Sequence, residues 1–470
     1  MPVRTGADQT SEIRLGTPVA RWTLVATILG SGIVFLDGTI VNVALPSISK
    51  DMSADFKALQ WVLNGYMVTL TALLLVGGGL GDRLGRRKVF VWGLAGFTAA
   101  SVVCGIAPTP GVLIAARAAQ GIGGALLVPG SLAIIGSVFH PDDRGRAIGL
   151  WSGLAGVATS IGPFVAGWLI DLASWRAAFF LNVPLAICAG WAAVKHVPDT
   201  KSPQSGGLDI AGAMTATAGL AAISYAAIDH SGIDAVVAGV VGSVLIIAFV
   251  IIQHRGKYPM MPLTLFRSAQ FSGTNLATLA IYGALAVSMF LITLQLQVTL
   301  NYSALEAGAA LAPFSALLLL FSARAGDLGQ RLGPRIPLTV GPAISAIGLI
   351  MLASLSKGSG YLGSVLPGVV IFGAGMTLLI APLTAAVLAS VDDSRSGIAS
   401  GINNAASRLA GLLAVAIIPA AAGISASDTL GEDLKAGYRG AMIISAGLMI
   451  VGSVIAFGLV RSRPATLNGA

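Results

Sequence analysis

Long apolar runs recur along this chain, and they constrain its fold more than any other feature. Crossing a hydrocarbon core of about 30 Å takes about 20 residues of helix, and runs of that length alternate with short polar stretches. Of the 470 residues, 55% are hydrophobic and only 10% are charged. Soluble domains carry about a quarter charged residues. The composition therefore excludes a soluble two-domain enzyme and predicts an all-α integral membrane protein.

Fourteen of these runs are predicted to span the membrane. The first stays in the mature protein, because it is long, contains Asp37 and is followed by no small-residue cleavage site. The predicted spans are 21–45, 58–80, 88–106, 111–138, 146–170, 177–195, 208–228, 233–253, 271–299, 305–323, 337–355, 363–389, 397–422 and 438–460.

The basic residues predict the orientation of the spans. With the amino terminus inside, 20 of the 28 Lys and Arg residues fall in internal tails and loops, 6 fall outside, and Arg117 and Arg408 lie within spans. Cytoplasmic loops carry the excess of basic residues. We therefore expect a multi-pass protein of the plasma (inner) membrane with both termini in the cytoplasm. The net charge of +8 follows this topology, so no nucleic-acid partner is expected.

A weak internal repeat predicts two related halves. Gly81-Asp-Arg-Leu-Gly-Arg-Arg87 follows the second span, and Gly329-Gln-Arg-Leu-Gly-Pro-Arg335 follows the tenth. Polar stretches with Pro or Gly bracket one helical hairpin between them. The expected arrangement is six, two and six spans, divided into a cytoplasmic tail (1–20), an amino-terminal half (21–195), a linker with two extra helices (196–270), a carboxy-terminal half (271–460) and a second tail (461–470).

Four motifs in this order resemble the major facilitator superfamily, specifically its fourteen-helix drug:proton antiporter branch. They are similar to that branch's signatures in helix 1, the loop after helix 2, helix 4 and the start of helix 6: Leu36-Asp-Gly-Thr-Ile-Val-Asn-Val-Ala-Leu-Pro46, Gly78-Gly-Leu-Gly-Asp-Arg-Leu-Gly-Arg-Arg87, Arg117-Ala-Ala-Gln-Gly-Ile-Gly123, and Trp175-Arg176 with Asn182-Val-Pro184. The resemblance covers nearly the whole chain. It implies two pseudo-symmetric six-helix halves.

The helix 5 motif of that branch is only partly present. In Ala158-Thr-Ser-Ile-Gly-Pro-Phe-Val-Ala-Gly167, two of the motif's glycines are alanines, whereas Gly162, Pro163 and Gly167 match. Glycines on one face of this helix allow close helix packing, and Pro163 can bend the helix. Both a pivot and a simple packing seam fit this pattern.

Asp37 is the one acidic residue, of 20, that lies well inside a predicted span. A carboxylate there costs several kcal/mol unless it is partnered, hydrated or protonated. Burial disfavours its charge while a nearby cation favours it, so Asp37 is predicted to load and release a proton. A static helix-pairing role is the alternative.

Arg117 is the predicted partner of Asp37. The two lie about 9–13 Å of helix from the same face, and the resemblance implies that helices 1 and 4 both line a central cavity. We expect an interaction, direct or through water, that protonation or substrate breaks. The alternative is that Arg117 extends outward to the lipid headgroups.

The loop after span 2 has a mechanical interpretation. Gly85 permits a tight turn, and Asp82 suits the positive amino-terminal end of another helix, predicted near Arg395. The resemblance implies that this loop latches the halves together in an outward-open state. A purely topological charge cluster is the alternative. The residues of this predicted latch are Gly78, Asp82, Arg83, Gly85, Arg86 and Arg87.

Several polar residues within spans are candidates to line a substrate pathway, although most of them could instead hydrogen-bond neighbouring helices. Arg408 is too deep to reach the headgroups easily, so it either faces the cavity or binds backbone carbonyls. The candidates are Asn42, Asn64, Tyr66, Gln120, Asn275, Gln295, Gln297, Asn403, Asn404 and Arg408.

Taken together, the sequence predicts a proton-coupled exporter of small amphipathic compounds that works by alternating access. Its partners would be the substrate, protons and membrane lipids, and it would act as a monomer. No cofactor is expected, because no phosphate-binding motif occurs and neither the two cysteines nor the four scattered histidines suggest a metal site. A dedicated exporter of one metabolite, lipid or antibiotic fits the same scaffold. A transport-dead sensor or a membrane-embedded enzyme fits less well.

Overall fold

The computed structural model describes residues 13–201, 207–229, 232–391, 396–424 and 430–461. Helices make up nearly all of these ranges, and no β-strand forms among the described residues. The helices are α1 (Pro18–Met52), α2 (Phe56–Leu84), α3 (Arg86–Gly105), α4 (Pro110–Val138), α5 (Pro141–Leu172), α6 (Trp175–Phe180), α7 (Asn182–His196), α8 (Ile210–Asp229), α9 (Gly232–Arg255), α10 (Ala269–Leu294), α11 (Ala304–Ala310), α12 (Ala312–Leu332), α13 (Arg335–Leu352), α14 (Leu366–Leu388), α15 (Ser396–Ala421) and α16 (Leu430–Leu459).

Within the described residues, thirteen helical segments are long and apolar enough to cross a membrane. Several side chains of α5 lie outside the description, and α5 is not among the thirteen although it is 32 residues long. The all-helical membrane fold is thus confirmed, and the count of fourteen stays a prediction.

Two predicted spans are interrupted rather than continuous. The span predicted at 177–195 is formed by α6 and α7, which meet at Leu181. The span predicted at 305–323 is formed by α11 and α12, which meet at Leu311 and continue to Leu332.

The helices pack in two similar sets. α1 packs on α5, α2 on α4 and α3 on α4, and the later helices repeat these pairs as α10 on α15, α12 on α14 and α13 on α14. The two copies of the sequence repeat also share a backbone conformation, because each ends its helix at a glycine with positive φ. Gly85 ends α2 with φ +114° and Gly333 ends α12 with φ +79°, a region that glycine enters without steric cost.

Large apolar side chains cover the outside of the bundle. Leu172 is 67% exposed and Ile233 is 78% exposed, which water would disfavour and lipid tails favour. α8 packs along α2 and α15, and α9 packs on α8. A salt bridge of 2.6 Å from Lys57 to Asp229 fastens α8 to the start of α2.

The two ends of the bundle differ. We call the end where α1 begins and α16 ends the terminal face, and the other end the opposite face. At the opposite face the two sets of helices are joined: the Gln297 amide donates to the Val43 carbonyl at 3.0 Å, and the Gln60 amide donates to the Val415 carbonyl at 2.6 Å. The Asp171 carboxylate accepts from the backbone N–H of Leu305 at 2.9 Å. The opposite face is therefore closed.

Candidate functional site

Asp37 and Arg117 form an ion pair inside the amino-terminal set of helices. Asp37 lies midway along α1 and Arg117 lies two turns into α4. One Arg117 Nη atom lies 2.5 Å from a carboxylate oxygen of Asp37, and the side chains are 1% and 2% exposed. Two opposite charges so deeply buried must compensate each other, because an isolated charge in this surrounding is very costly.

Amide groups complete the surroundings of the carboxylate. The Gln120 amide donates to the other Asp37 oxygen at 2.9 Å, and the Asn182 amide donates to the same oxygen at 3.2 Å. Arg117 in turn donates to the Gln120 carbonyl oxygen at 2.6 Å. The Ser101 hydroxyl accepts from both amides. Helices α1, α3, α4 and α7 thus converge on one buried carboxylate whose two oxygens are both occupied.

Arg117 is also held from α2. Its Nε donates to the Val62 carbonyl at 3.2 Å, and its guanidinium lies 4.2 Å from the centre of the Tyr66 ring. A cation over an aromatic face is stabilised by the ring quadrupole. The Tyr66 hydroxyl donates to the Val34 carbonyl of α1 at 3.4 Å, so Tyr66 lies between α1 and the Arg117 guanidinium.

A cavity of about 420 Å³ lies between the two sets of helices. It lies nearer the terminal face than the contacts that close the opposite face. Phe35 and Met67 line it from one side, and Tyr282, Asn404 and Arg408 line it from the other. Three of the predicted candidates, Asn403, Asn404 and Arg408, are therefore brought together at one cavity.

The other polar candidates have different surroundings. Tyr66 and Gln120 belong to the ion-pair network, and Gln297 belongs to the closed opposite face. The remaining ones bond within or between helices: Asn275 to the Phe271 carbonyl and to Asn403, Gln295 to the Leu355 carbonyl, and Asn42 to the Gly38 carbonyl. Their predicted contact with substrate stays a prediction.

Asn64 is unusual because both polar atoms of its side chain are buried without a hydrogen-bond partner in the described structure. An unsatisfied buried amide costs about 1–3 kcal/mol. We expect Asn64→Leu to raise the melting temperature of the purified protein by a few degrees. Transport should fall at the same time if the amide is satisfied in another conformation of the cycle. A lower melting temperature would contradict this account.

The predicted latch residues lie at the end of α2, in the turn at Gly85 and at the start of α3. Asp82 accepts from Arg86 at 2.8 Å, one turn further along the chain. The Arg87 guanidinium donates to the Val197 carbonyl, which ties this loop to the segment after α7. Gly78 lies in α2, Gly85 forms the turn and Arg83 is exposed. The predicted partner near Arg395 lies outside the described residues.

The three matching residues of the helix 5 motif make close contacts. A side chain at Gly162 would meet Thr39 of α1, and one at Gly167 would meet the backbone of Leu305 at 2.6 Å. Gly308 of α11 is packed on the backbone of Pro163. The glycines earlier in α5 differ: side chains at Gly149 and Gly153 would meet nothing within 4 Å. Among the described glycines of α5, the closely packed ones therefore lie in the half of the helix nearer the opposite face.

Comparison of the sequence with protein-family models identifies the family of this chain. Residues 27–415 match the model of the Major Facilitator Superfamily. The chain belongs to this superfamily. It is 32% identical to the multidrug resistance protein Stp of Mycobacterium tuberculosis, over 88% of this chain and 78% of Stp. It is 33% identical to a probable actinorhodin transporter of Streptomyces coelicolor, over 85% of this chain and 72% of that protein.

The fold agrees with this assignment. A crystal structure of a point mutant of the peptide transporter POT in complex with sulfate superposes with a TM-score of 0.71 at 14% identity, covering 96% of this chain and 97% of that one. At that identity the likeness concerns the fold alone. Family and fold together make this superfamily member an integral multi-pass membrane transporter rather than an enzyme, with relatives that carry drugs and antibiotics.

Proposed function

We propose that this transporter exports small amphipathic compounds across the plasma membrane in exchange for protons. The observation that carries the proposal is the buried ion pair of Asp37 and Arg117, the site where a proton has the largest structural effect. Transporters of this kind place ionisable groups inside the membrane for proton relay. The drug and antibiotic efflux relatives support export as the direction of transport.

Protonation of Asp37 would change the energy of the site in a definite way. It removes the negative charge that compensates Arg117, and a buried charge left without its partner costs about 3–5 kcal/mol. Reversing a two-state equilibrium from 1:99 to 99:1 takes about 5.5 kcal/mol. Protonation of Asp37 therefore supplies most of the free energy that is needed to reverse such a two-state equilibrium.

Tyr66 connects this event to the cavity. Its ring packs on Arg117 and its hydroxyl donates to the Val34 carbonyl, while the adjacent residues Met67 and Phe35 line the cavity. When Arg117 moves away from a protonated Asp37, the ring that covers it has to adjust. Proton binding and substrate release are thus coupled through one aromatic side chain.

The conformational cycle follows from the two faces. The opposite face is closed, whereas the cavity lies toward the terminal face. If the terminal face is cytoplasmic, as the basic residues predict, this is the state that receives substrate from inside. Opening the opposite face would then require separating α5 from α11 and α1 from α10, while the loop after α2 latches the terminal face.

The latch gives a testable expectation. In the present state Asp82 pairs only with Arg86 among the described residues, so it is available for another partner when the terminal face closes. We expect Asp82→Asn to lower transport by about tenfold or more while membrane insertion and substrate binding persist. Gln330→Ala, at the equivalent position of the second repeat, serves as the control. Unchanged transport in Asp82→Asn would rule out the latch.

Everted vesicles test the proposed function directly. An imposed pH gradient is monitored with a fluorescent dye while compounds are added, and a substrate of a proton antiporter reverses part of the acidification. Vesicles that contain Asp37→Asn should show no reversal. Absence of any response to a broad panel of amphiphiles would contradict general export.

A dedicated exporter is the second candidate. One relative is a multidrug resistance protein and another is a probable actinorhodin transporter, at nearly equal identity of 32% and 33%. The same panel separates the two: several unrelated compounds should reverse acidification for a multidrug exporter, and a single chemical type for a dedicated one.

A further inference from the structure

The cavity between the two sets of helices carries one positive charge. Arg408 is the only charged residue among the described residues that line it, and no described acidic residue lies there. The Arg408 Nε is buried without a hydrogen-bond partner in the described part of the chain, and no described acidic side chain lies at the cavity to pair with the guanidinium. Arg408 is half-buried at the cavity wall, and a cation partly removed from water without a counter-charge is costly. A ligand that supplies a negative charge would remove that cost.

The one deep carboxylate is not available to offset this charge. Asp37 is 2% exposed, and its oxygens are occupied by Arg117, Gln120 and Asn182. A cationic compound in the cavity would therefore meet Arg408 and no described carboxylate. At short range in a medium of low polarity, repulsion between like charges amounts to several kcal/mol. The cavity disfavours cations.

The remaining lining suits an aromatic acid. Phe35, Met67 and Tyr282 offer apolar and aromatic surface, while Asn403, Asn404 and Ser407 offer hydrogen-bonding groups beside Arg408. The cavity volume of about 420 Å³ lies within the range of about 300–1,000 Å³ that small-molecule sites occupy. The guanidinium binds a carboxylate with two parallel hydrogen bonds, and it can also donate charge-assisted hydrogen bonds to the single oxygen of a phenolate.

We infer that this transporter prefers substrates with an apolar aromatic body and an anionic group, carboxylate or phenolate, which Arg408 binds. The inference rests on the proposed function, since it names the substrate class of the same cavity. It has an energetic consequence. Export of an anion and import of a proton move charge in the same direction, so transport responds to membrane potential as well as to pH. Exchange of one monocation for one proton would be electroneutral.

Binding of two related dyes tests the substrate class without any gradient. Fluorescein is anionic at neutral pH, and the ethyl ester of rhodamine B has the same ring system but is cationic. Fluorescence polarisation with the purified full chain should show about ten- to hundredfold tighter binding of fluorescein. Arg408→Gln should remove that preference and Arg408→Lys should retain part of it. Arg255→Gln, which removes an exposed charge at the end of α9, should change neither affinity.

The outcomes separate this inference from the proposed function. Equal or tighter binding of the ester by the unaltered chain would overturn the inference, and so would unchanged fluorescein affinity in Arg408→Gln. Proteoliposomes then test transport: fluorescein should move faster when a potassium diffusion potential is added to a pH gradient. If fluorescein binds preferentially but is not moved by the gradient, the inferred substrate class is supported and the proposed proton coupling is rejected. The dye comparison on the unaltered chain needs no variant to fold.

Discussion

Asp37→Asn is expected to abolish proton-driven transport, with a loss of about 100-fold or more. The asparagine cannot exchange a proton, and it also leaves Arg117 buried without its counter-charge, which costs about 3–5 kcal/mol. Two measurements follow from this: drug-driven reversal of acidification in vesicles, and the melting temperature of the purified protein. Both should fall. Asp234→Asn, an exposed carboxylate in the first turn of α9, is the matched control and should alter neither.

A second variant separates coupling from stability. In the double variant Asp37→Asn with Arg117→Gln, both charges are absent, so the melting temperature should recover much of what either single variant loses. Transport coupled to protons should remain absent. If the double variant regained coupled transport, the pair would be a structural element only. If Asp37→Asn alone kept full coupled transport, another group would carry the proton.

The sequence alone was enough to place the most informative residues. Asp37 is conspicuous because a carboxylate inside an apolar run has a high cost, and Arg117 was predicted as its partner from comparable depth together with the family resemblance, which implies that helices 1 and 4 line one cavity. The neighbours Ser101 and Asn182 were not predicted as part of the site. Both are ordinary polar residues near span ends, and their role depends on how α3 and α7 turn toward α1, which tertiary packing decides.

Arg408 shows what a sequence pattern leaves open. Its depth allowed both a cavity position and bonds to backbone carbonyls. The structure places it at the cavity wall, where its Nε has no hydrogen-bond partner among the described residues. Helical periodicity gives the face of α15 only approximately, and the neighbouring helix that this face meets is not encoded locally.

Prolines show why the helix interruptions could not be predicted from the sequence alone. Pro184 and Pro313 follow helix interruptions at Leu181 and Leu311, where a missing N–H removes one backbone hydrogen bond. Pro46, Pro129 and Pro163 have the same chemistry, yet their helices continue. Neighbouring helices can replace a lost bond, so whether a proline ends a membrane helix depends on its surroundings.

Gly167→Val should have the second large effect. A side chain at this position would lie 2.6 Å from the Leu305 Cα. The backbone of Leu305 can move away only if the whole of α11 moves. The valine should therefore push α5 and α11 apart at the opposite face and disfavour the state in which that face is closed. We expect transport to fall by at least about tenfold, since a cycle needs both states. Gly153→Val is the matched control, because Gly153 on the same helix has open space.

The change in conformation can be measured separately from transport. With Cys104 and Cys188 both replaced by serine, a single cysteine introduced at Gln297 reports on the opposite face, where that residue now contacts Val43. In Gly167→Val this cysteine should react faster with a membrane-impermeant maleimide added from the opposite side. In Gly153→Val the rate should match the unaltered background. Slow labelling in both variants, together with lost transport only in Gly167→Val, would mean that the valine impairs folding or binding rather than closure. The contact between α5 and α11 would then not be the one that shuts the opposite face.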